Sequence, residues 1–79
     1  MNTEQCEAIS YQLGNIIRDV MYEEGYWAIN VTVYTYNILE SNIIYYKRGC
    51  TKNDSVESMT LSNLINTIPG TERILFEFL

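Results

Sequence analysis

Six apolar residues near the start of the chain, Cys6, Ile9, Leu13, Ile16, Ile17 and Val20, recur at steps of three, four, three, one and three. At about 100° per residue they fall within an arc of roughly 100°, which is the apolar stripe of a helix that lies on a core. The spacing predicts one helix over residues 3–24. Asn2 or Thr3 can cap it, and Glu4 and Glu7 sit in its first turn, where the helix dipole favours anions. Gly25 follows Glu23 and Glu24 and suits the left-handed turn just past a helix end. A stripe of this width cannot bury itself, so the rest of the chain must supply a second layer.

After Gly25 the apolar period changes from helical to alternating. Trp27, Ile29, Val31 and Val33 point one way in a strand, and Tyr26, Ala28, Asn30, Thr32, Tyr34 and Tyr36 point the other. The β-branched and aromatic content supports that strand. Residues 37–42 read as a turn, Ile43 to Arg48 as the returning strand, and Gly49 as its end, which makes an antiparallel hairpin. Residues 50–58 read as a polar loop. Thr60 can cap a short helix from Leu61 to about Thr67, with Leu61, Leu64, Ile65 and Ile68 inward, and Pro69-Gly70 stops it. Arg73 to Leu79 reads as a final strand, with Ile74, Phe76 and Phe78 on one face and Leu75, Glu77 and Leu79 on the other.

The expected fold is therefore α+β, with two layers and one domain over residues 1–79. A three-stranded, mainly antiparallel sheet carries a long N-terminal helix and a short second helix, in the order α-β-β-α-β. Both helices cover one sheet face, and nothing from the chain covers the other.

The residues for most catalytic chemistry are missing. There is no histidine, so neither the commonest general base nor a Cys–His or Ser–His pair can be assembled. The four glycines are isolated and make no phosphate-binding loop. Glu23 and Glu24 are adjacent on a helix end, where side chains diverge by roughly 100° and do not converge on one substrate. Cys6 belongs to the apolar arc, and Cys50 lies in a loop beside Arg48 and Lys52. The expectation is a protein that is not an enzyme, with no cofactor and no metal.

The opening residues Met1 to Gln5 show neither a basic segment nor an apolar one of the secretory kind. The expected location is the cytoplasm (the host cytosol if a phage encodes the chain), where thiols stay reduced. That location leaves the sequon Asn30-Val31-Thr32 without a glycan. No apolar run approaches the ~20 residues of a membrane span.

Ten acidic residues against five basic ones set the net charge at −5. Such a field repels a polyanion. Direct nucleic-acid binding is not expected, although the cluster Lys47, Arg48 and Lys52 can touch a phosphate. The same field suits a protein partner with a basic surface, including one whose own work is to hold DNA or RNA.

Seven tyrosines are available for such contact. Tyr11 and Tyr22 fall opposite the core stripe and form a second stripe with Glu4, Glu7, Asn15 and Arg18. Tyr26, Tyr34 and Tyr36 share the expected outer sheet face, with Leu75 and Leu79 beside them. Tyrosine offers contact area and a polar tip at low entropic cost. The candidate protein-binding residues are Glu4, Glu7, Tyr11, Tyr22, Tyr26, Tyr34, Tyr36, Glu40 and Glu77. Tyrosine is also an ordinary strand residue. An uncovered face of this kind equally suits a homodimer.

The segment from Asn30 to Leu79 contains Asn30-Val31-Thr32-Val33, Tyr45-Tyr46 followed by Gly49, Thr60-Leu61-Ser62-Asn63-Leu64, and Gly70-Thr71 before an apolar terminus. In these features it resembles the small acidic phage-encoded inhibitors of uracil-DNA glycosylase. The resemblance implies a hairpin, a helix and a strand, and a DNA mimic that blocks its enzyme. The first helix and the long loop before the second are additions to that pattern. The wider likeness is to mobile-element anti-defence proteins, anti-CRISPR proteins among them. The leading expectation is thus a binder and inhibitor of a nucleic-acid-processing protein. The alternatives are a structural or adaptor subunit that blocks nothing, or a small immunity protein.

Overall fold

Asn2 starts the first helix. The computed structural model describes residues 1–79, with the side chain of Asp54 left aside. Helix α1 runs Thr3–Glu23, and the Asn2 carboxamide oxygen accepts the Gln5 N–H at 2.8 Å. The Gln5 side chain answers by accepting the Asn2 N–H at 3.0 Å, so two orphan donors of the first turn are satisfied reciprocally. At the other end Gly25 turns the chain with φ of +100°, a conformation that costs glycine little. Leu13, Ile17 and Val20 are buried, as the stripe requires, while Cys6, Ile9 and Ile16 are half-buried. Met21 and Gly14 are also buried, so the inward face is rotated slightly past the arc that the six residues define.

Strand β1 spans Tyr26–Thr32 and β2 spans Asn42–Lys47, joined through a 3-10 turn at Ile38–Glu40. A four-residue strand, β3 at Glu57–Thr60, pairs antiparallel with the other side of β2. The sheet order is β1-β2-β3. The domain is therefore α+β, with a three-stranded antiparallel sheet. Two short helices, α2 at Lys52–Ser55 and α3 at Leu61–Thr67, flank β3, and α4 spans Arg73–Phe78.

The C-terminal segment corrects the expected order α-β-β-α-β, because the third strand comes before the short helix and the chain ends helically. Alternation in a seven-residue apolar segment also contains a helical pattern. Ile74 is buried and Leu75 and Phe78 pack beside it at i, i+1 and i+4, while Phe76 is left exposed. The third strand escaped notice because it has one inward apolar residue, Met59, opposite Ile43. Leu75 and Leu79 are thus not on a sheet face.

A second correction concerns the phase of β1. Ala28 pairs with Tyr45 and Asn30 with Ile44, so the register slips between them and Ile29 is the extra residue of a β-bulge. Before the bulge Tyr26 and Ala28 face the core, and after it Val31 and Val33 do. Trp27 and Ile29 consequently face outward. Strict alternation over ten residues assumes an unbroken pleat, and one inserted residue reverses the faces.

The core joins Leu13, Ile17, Val20 and Met21 of α1 to Ile43 and Tyr45 of β2, Leu61, Leu64 and Ile68 around α3, and Ile74 of α4. The Thr60 hydroxyl accepts the Asn63 N–H at 3.1 Å and caps α3. The buried Thr71 hydroxyl lies 2.6 Å from the Ile68 carbonyl and 3.1 Å from that of Leu64. It thereby serves acceptors at the helix C-terminus that would otherwise be buried without a donor.

Candidate protein-binding surfaces

One end of the molecule gathers five of the candidate residues. The Thr35 hydroxyl meets the Cys6 sulfur at 3.7 Å, which sets the segment after β1 against the first turns of α1. Tyr34 and Tyr36 flank Thr35, and their rings lie 5.7 Å apart. Glu4 and Glu7 flank Cys6 and are exposed. Glu40 is tied to the same turn: its N–H donates to the Asn37 carbonyl, and the Asn37 N–H donates to the Tyr34 carbonyl, each at 3.0 Å. The Ser41 hydroxyl accepts the Tyr34 N–H at 3.0 Å and holds the turn to the strand. Tyr36 is 83% exposed, so the pair is presented to solvent. Tyr11 continues the stripe one turn beyond Glu7 and is 76% exposed.

The five cations of the chain are Arg18, Lys47, Arg48, Lys52 and Arg73, and all lie toward the other end. Arg48 donates its N–H to the Gly25 carbonyl at 2.9 Å, and Lys47 pairs with Tyr26. Arg18 shares a shallow cleft with Tyr22 and Trp27. Arg73 lies 3.1 Å from Glu24 and 3.5 Å from Glu23. The acidic end therefore holds no lysine or arginine beside Glu4, Glu7 and Glu40. Outside that end the other seven acidic side chains accompany the five cations, so the remainder carries −2 where the end carries −3.

The remaining candidates separate. Tyr26 is on the core side, edge-to-face with Tyr45 at 5.6 Å, which corrects its expected place on the outer face. Tyr34 and Tyr36 lie beyond the end of β1 and so also leave that face. Tyr22 is at the Gly25 end, edge-to-face with Trp27 at 5.1 Å, with the Arg48 guanidinium 4.3 Å from its ring centre. Glu77 is exposed on α4, whose start is held near the end of α1 by Arg73. One helical turn from there advances about 5 Å, whereas α1 is about 31 Å long; Glu77 is not part of the acidic end.

A second surface was not legible in the alternation. The register puts Trp27 opposite Tyr46 and Asn30 opposite Ile44, on the face away from the core. With Ile29 these residues form an apolar patch; Trp27 is 44% and Ile29 37% exposed. Thr32, Asn42 and Ser58 complete the face, and the Asn42 amide donates to the Ser58 hydroxyl at 2.9 Å. None of these residues is charged. The double pairs Ile43-Ile44 and Tyr45-Tyr46 were the available signal, since either phase of β2 leaves one isoleucine and one tyrosine outside.

A cavity of about 280 Å³ opens at the end of the core between Tyr45, Glu57, Met59 and Ile68. Both cysteines carry free thiols, Cys6 half-buried and Cys50 exposed. Among the described residues no cluster of three or more His, Cys, Asp or Glu is placed to hold a metal ion. No helix among them is long and apolar enough to cross a membrane. No protein-family model, curated protein or solved structure matches the chain.

Proposed function

We propose that this protein binds a partner with a basic surface and inhibits a nucleic-acid-processing protein, as an anti-defence factor of the phage or mobile-element kind. The observation that carries the proposal is the charge segregation: Glu4, Glu7 and Glu40 share an end with the Tyr34–Tyr36 pair and with no lysine or arginine. On a groove built for nucleic acid, carboxylates replace phosphates, and the exposed tyrosines supply contact area where bases would stack. The proposed action is stoichiometric occupation of the groove, with no catalytic step and no cofactor, in the cytosol where such enzymes work. The likeness to uracil-DNA glycosylase inhibitors now rests on the hairpin and on the start of α3, because the terminal segment is a helix.

The test is competition. A nucleic-acid enzyme captured from a bacterial lysate by the tagged protein is immobilised, and DNA or RNA is titrated against the bound protein. Displacement is expected, with weaker binding as salt rises. A captured enzyme that holds its nucleic acid and this protein together, with no mutual loss of affinity, overturns the inhibitor reading. The adaptor alternative then moves ahead, and the uncharged outer sheet face is the observation that favours it.

A further inference from the structure

We infer that the cavity at the end of the core binds a free α-amino acid with an apolar side chain. Two groups of opposite charge line it, Lys47 of β2 and Glu57 of β3. Glu57 faces Tyr45 across the β2–β3 ladder, and Lys47 is two residues beyond Tyr45 on the same face of β2. Lys47 and Glu57 are thus diagonal neighbours, roughly 7–8 Å apart at their bases. They pair neither with each other nor with another charged group among the described residues. The Tyr45 hydroxyl donates to Oε2 of Glu57 at 3.1 Å, which fixes the carboxylate and leaves Oε1 free to accept. The Ser55 hydroxyl lines the same cavity and is buried with no hydrogen-bond partner among the described residues. A buried polar atom of this kind calls for one.

Met59, Ile68 and the Tyr26 ring supply the apolar wall, and Tyr26 is held edge-to-face against Tyr45 at 5.6 Å. This combination selects a zwitterion. A ligand with a single charge pairs with Lys47 or Glu57 and is repelled by the other. An amino acid sets its carboxylate on the Lys47 ammonium and the Ser55 hydroxyl, and its ammonium on Glu57. Its side chain then lies on the apolar wall, which is the pattern of a small-molecule site with a few placed polar groups. The end of a peptide carries only one of the two charges and leaves the other cavity group unpaired. At about 280 Å³ the cavity is slightly smaller than the roughly 300–1,000 Å³ of drug-sized sites, which suits a single amino acid. Glu4, Glu7, Tyr34 and Tyr36 take no part in it.

Isothermal titration calorimetry of the whole chain with L-leucine, L-methionine and L-phenylalanine, from micromolar into millimolar concentrations, reads the affinity. The methyl resonance of Met59, assigned through Met59→Leu, reports occupation of the cavity. The expected result is saturable binding of at least one of the three, with the Met59 signal shifted and that of the exposed Met1 unmoved. Lys47→Met and Glu57→Gln should each weaken binding at least tenfold. Circular dichroism should stay unchanged in both, because the two side chains are exposed at the mouth of the cavity. The amide of the best-bound amino acid lacks the carboxylate, and its N-acetyl derivative lacks the ammonium. Each should bind at least tenfold more weakly than the parent. No shift of the Met59 signal with any of the three amino acids overturns the inference and leaves the cavity to water. So does binding that both charge variants leave unchanged, or a derivative that binds as well as the parent.

Discussion

The Tyr45 hydroxyl donates to the Glu57 carboxylate across 3.1 Å, from a residue that is 3% exposed. Burial and the neighbouring carboxylate both penalise the phenolate, and together they push the Tyr45 pKa up to about 12. Tyr45 therefore keeps its proton in the folded state at pH values where the unfolded chain, with an ordinary tyrosine pKa of about 10, has lost it. Its contribution to stability is complete below about pH 10 and is lost as pH rises toward 12. Absorbance at the tyrosinate band should show one late-titrating tyrosine that Tyr45→Phe removes. A titration with no such component would contradict the assignment.

The core stripe should respond unevenly to truncation. Leu13 and Ile17 are fully buried, while Ile16 is only half-buried. Leu13→Ala or Ile17→Ala should each cost about 2–5 kcal/mol, a large share of the stability of a small domain. Ile16→Ala should cost less than either. Urea denaturation of the three variants measures the order, and equal losses would show that the inward face is placed wrongly.

Gly70 is a second point of sensitivity, for a backbone reason. Its φ is +88°, and a Cβ built there would lie 2.5 Å from the Glu24 carboxyl carbon. Glu24 is not free to withdraw at no cost, because Arg73 sits 3.1 Å from it in a charge contact without hydrogen-bond alignment. Gly70→Ala should therefore lower stability by about 1–3 kcal/mol through strain and displacement of Glu24. Arg73→Ala should cost under about 1 kcal/mol from the ion pair itself, since the partners are partly exposed. Thermal melts of the two variants decide the ranking.

Partner binding should separate charge from contact. Glu4→Gln, Glu7→Gln and Glu40→Gln should slow association by modest factors, and added salt should erase the difference, because screening acts over about 8 Å at physiological ionic strength. Tyr34→Ala and Tyr36→Ala should instead speed dissociation, with losses of about 1–3 kcal/mol where the rings are hot spots. Tyr26→Phe should leave binding unchanged, because that side chain faces the core. Surface plasmon resonance with the captured partner reads both rates. An equal effect of Tyr26→Phe and Tyr36→Ala would point away from the acidic end.

Much of this architecture was written locally. The spacing of Leu13, Ile17 and Val20, the cap at Asn2, the stop at Gly25 and the Thr60 cap each depend on neighbours within a turn or two. Such features are legible because short-range geometry sets them. The same holds for the hairpin and for the acidic excess. The clustering of Glu4, Glu7, Tyr34, Tyr36 and Glu40 was only half legible: the residue types stood out, but the contact between Thr35 and Cys6 that unites them spans 29 positions.

What tertiary packing alone decided was phase and pairing. One bulged residue at Ile29 exchanged the two faces of β1, sending Tyr26 inward and Trp27 outward. The strand Glu57–Thr60 exists because the free side of β2 offers unpaired backbone groups, not because its own residues favour extension. The segment from Arg73 is a helix in which Ile74, Leu75 and Phe78 bury together at helical spacing. The amino-acid order determined which segments carry apolar surface. Only the assembled core, through burial and the demand that backbone groups be paired, settled which way each surface turned.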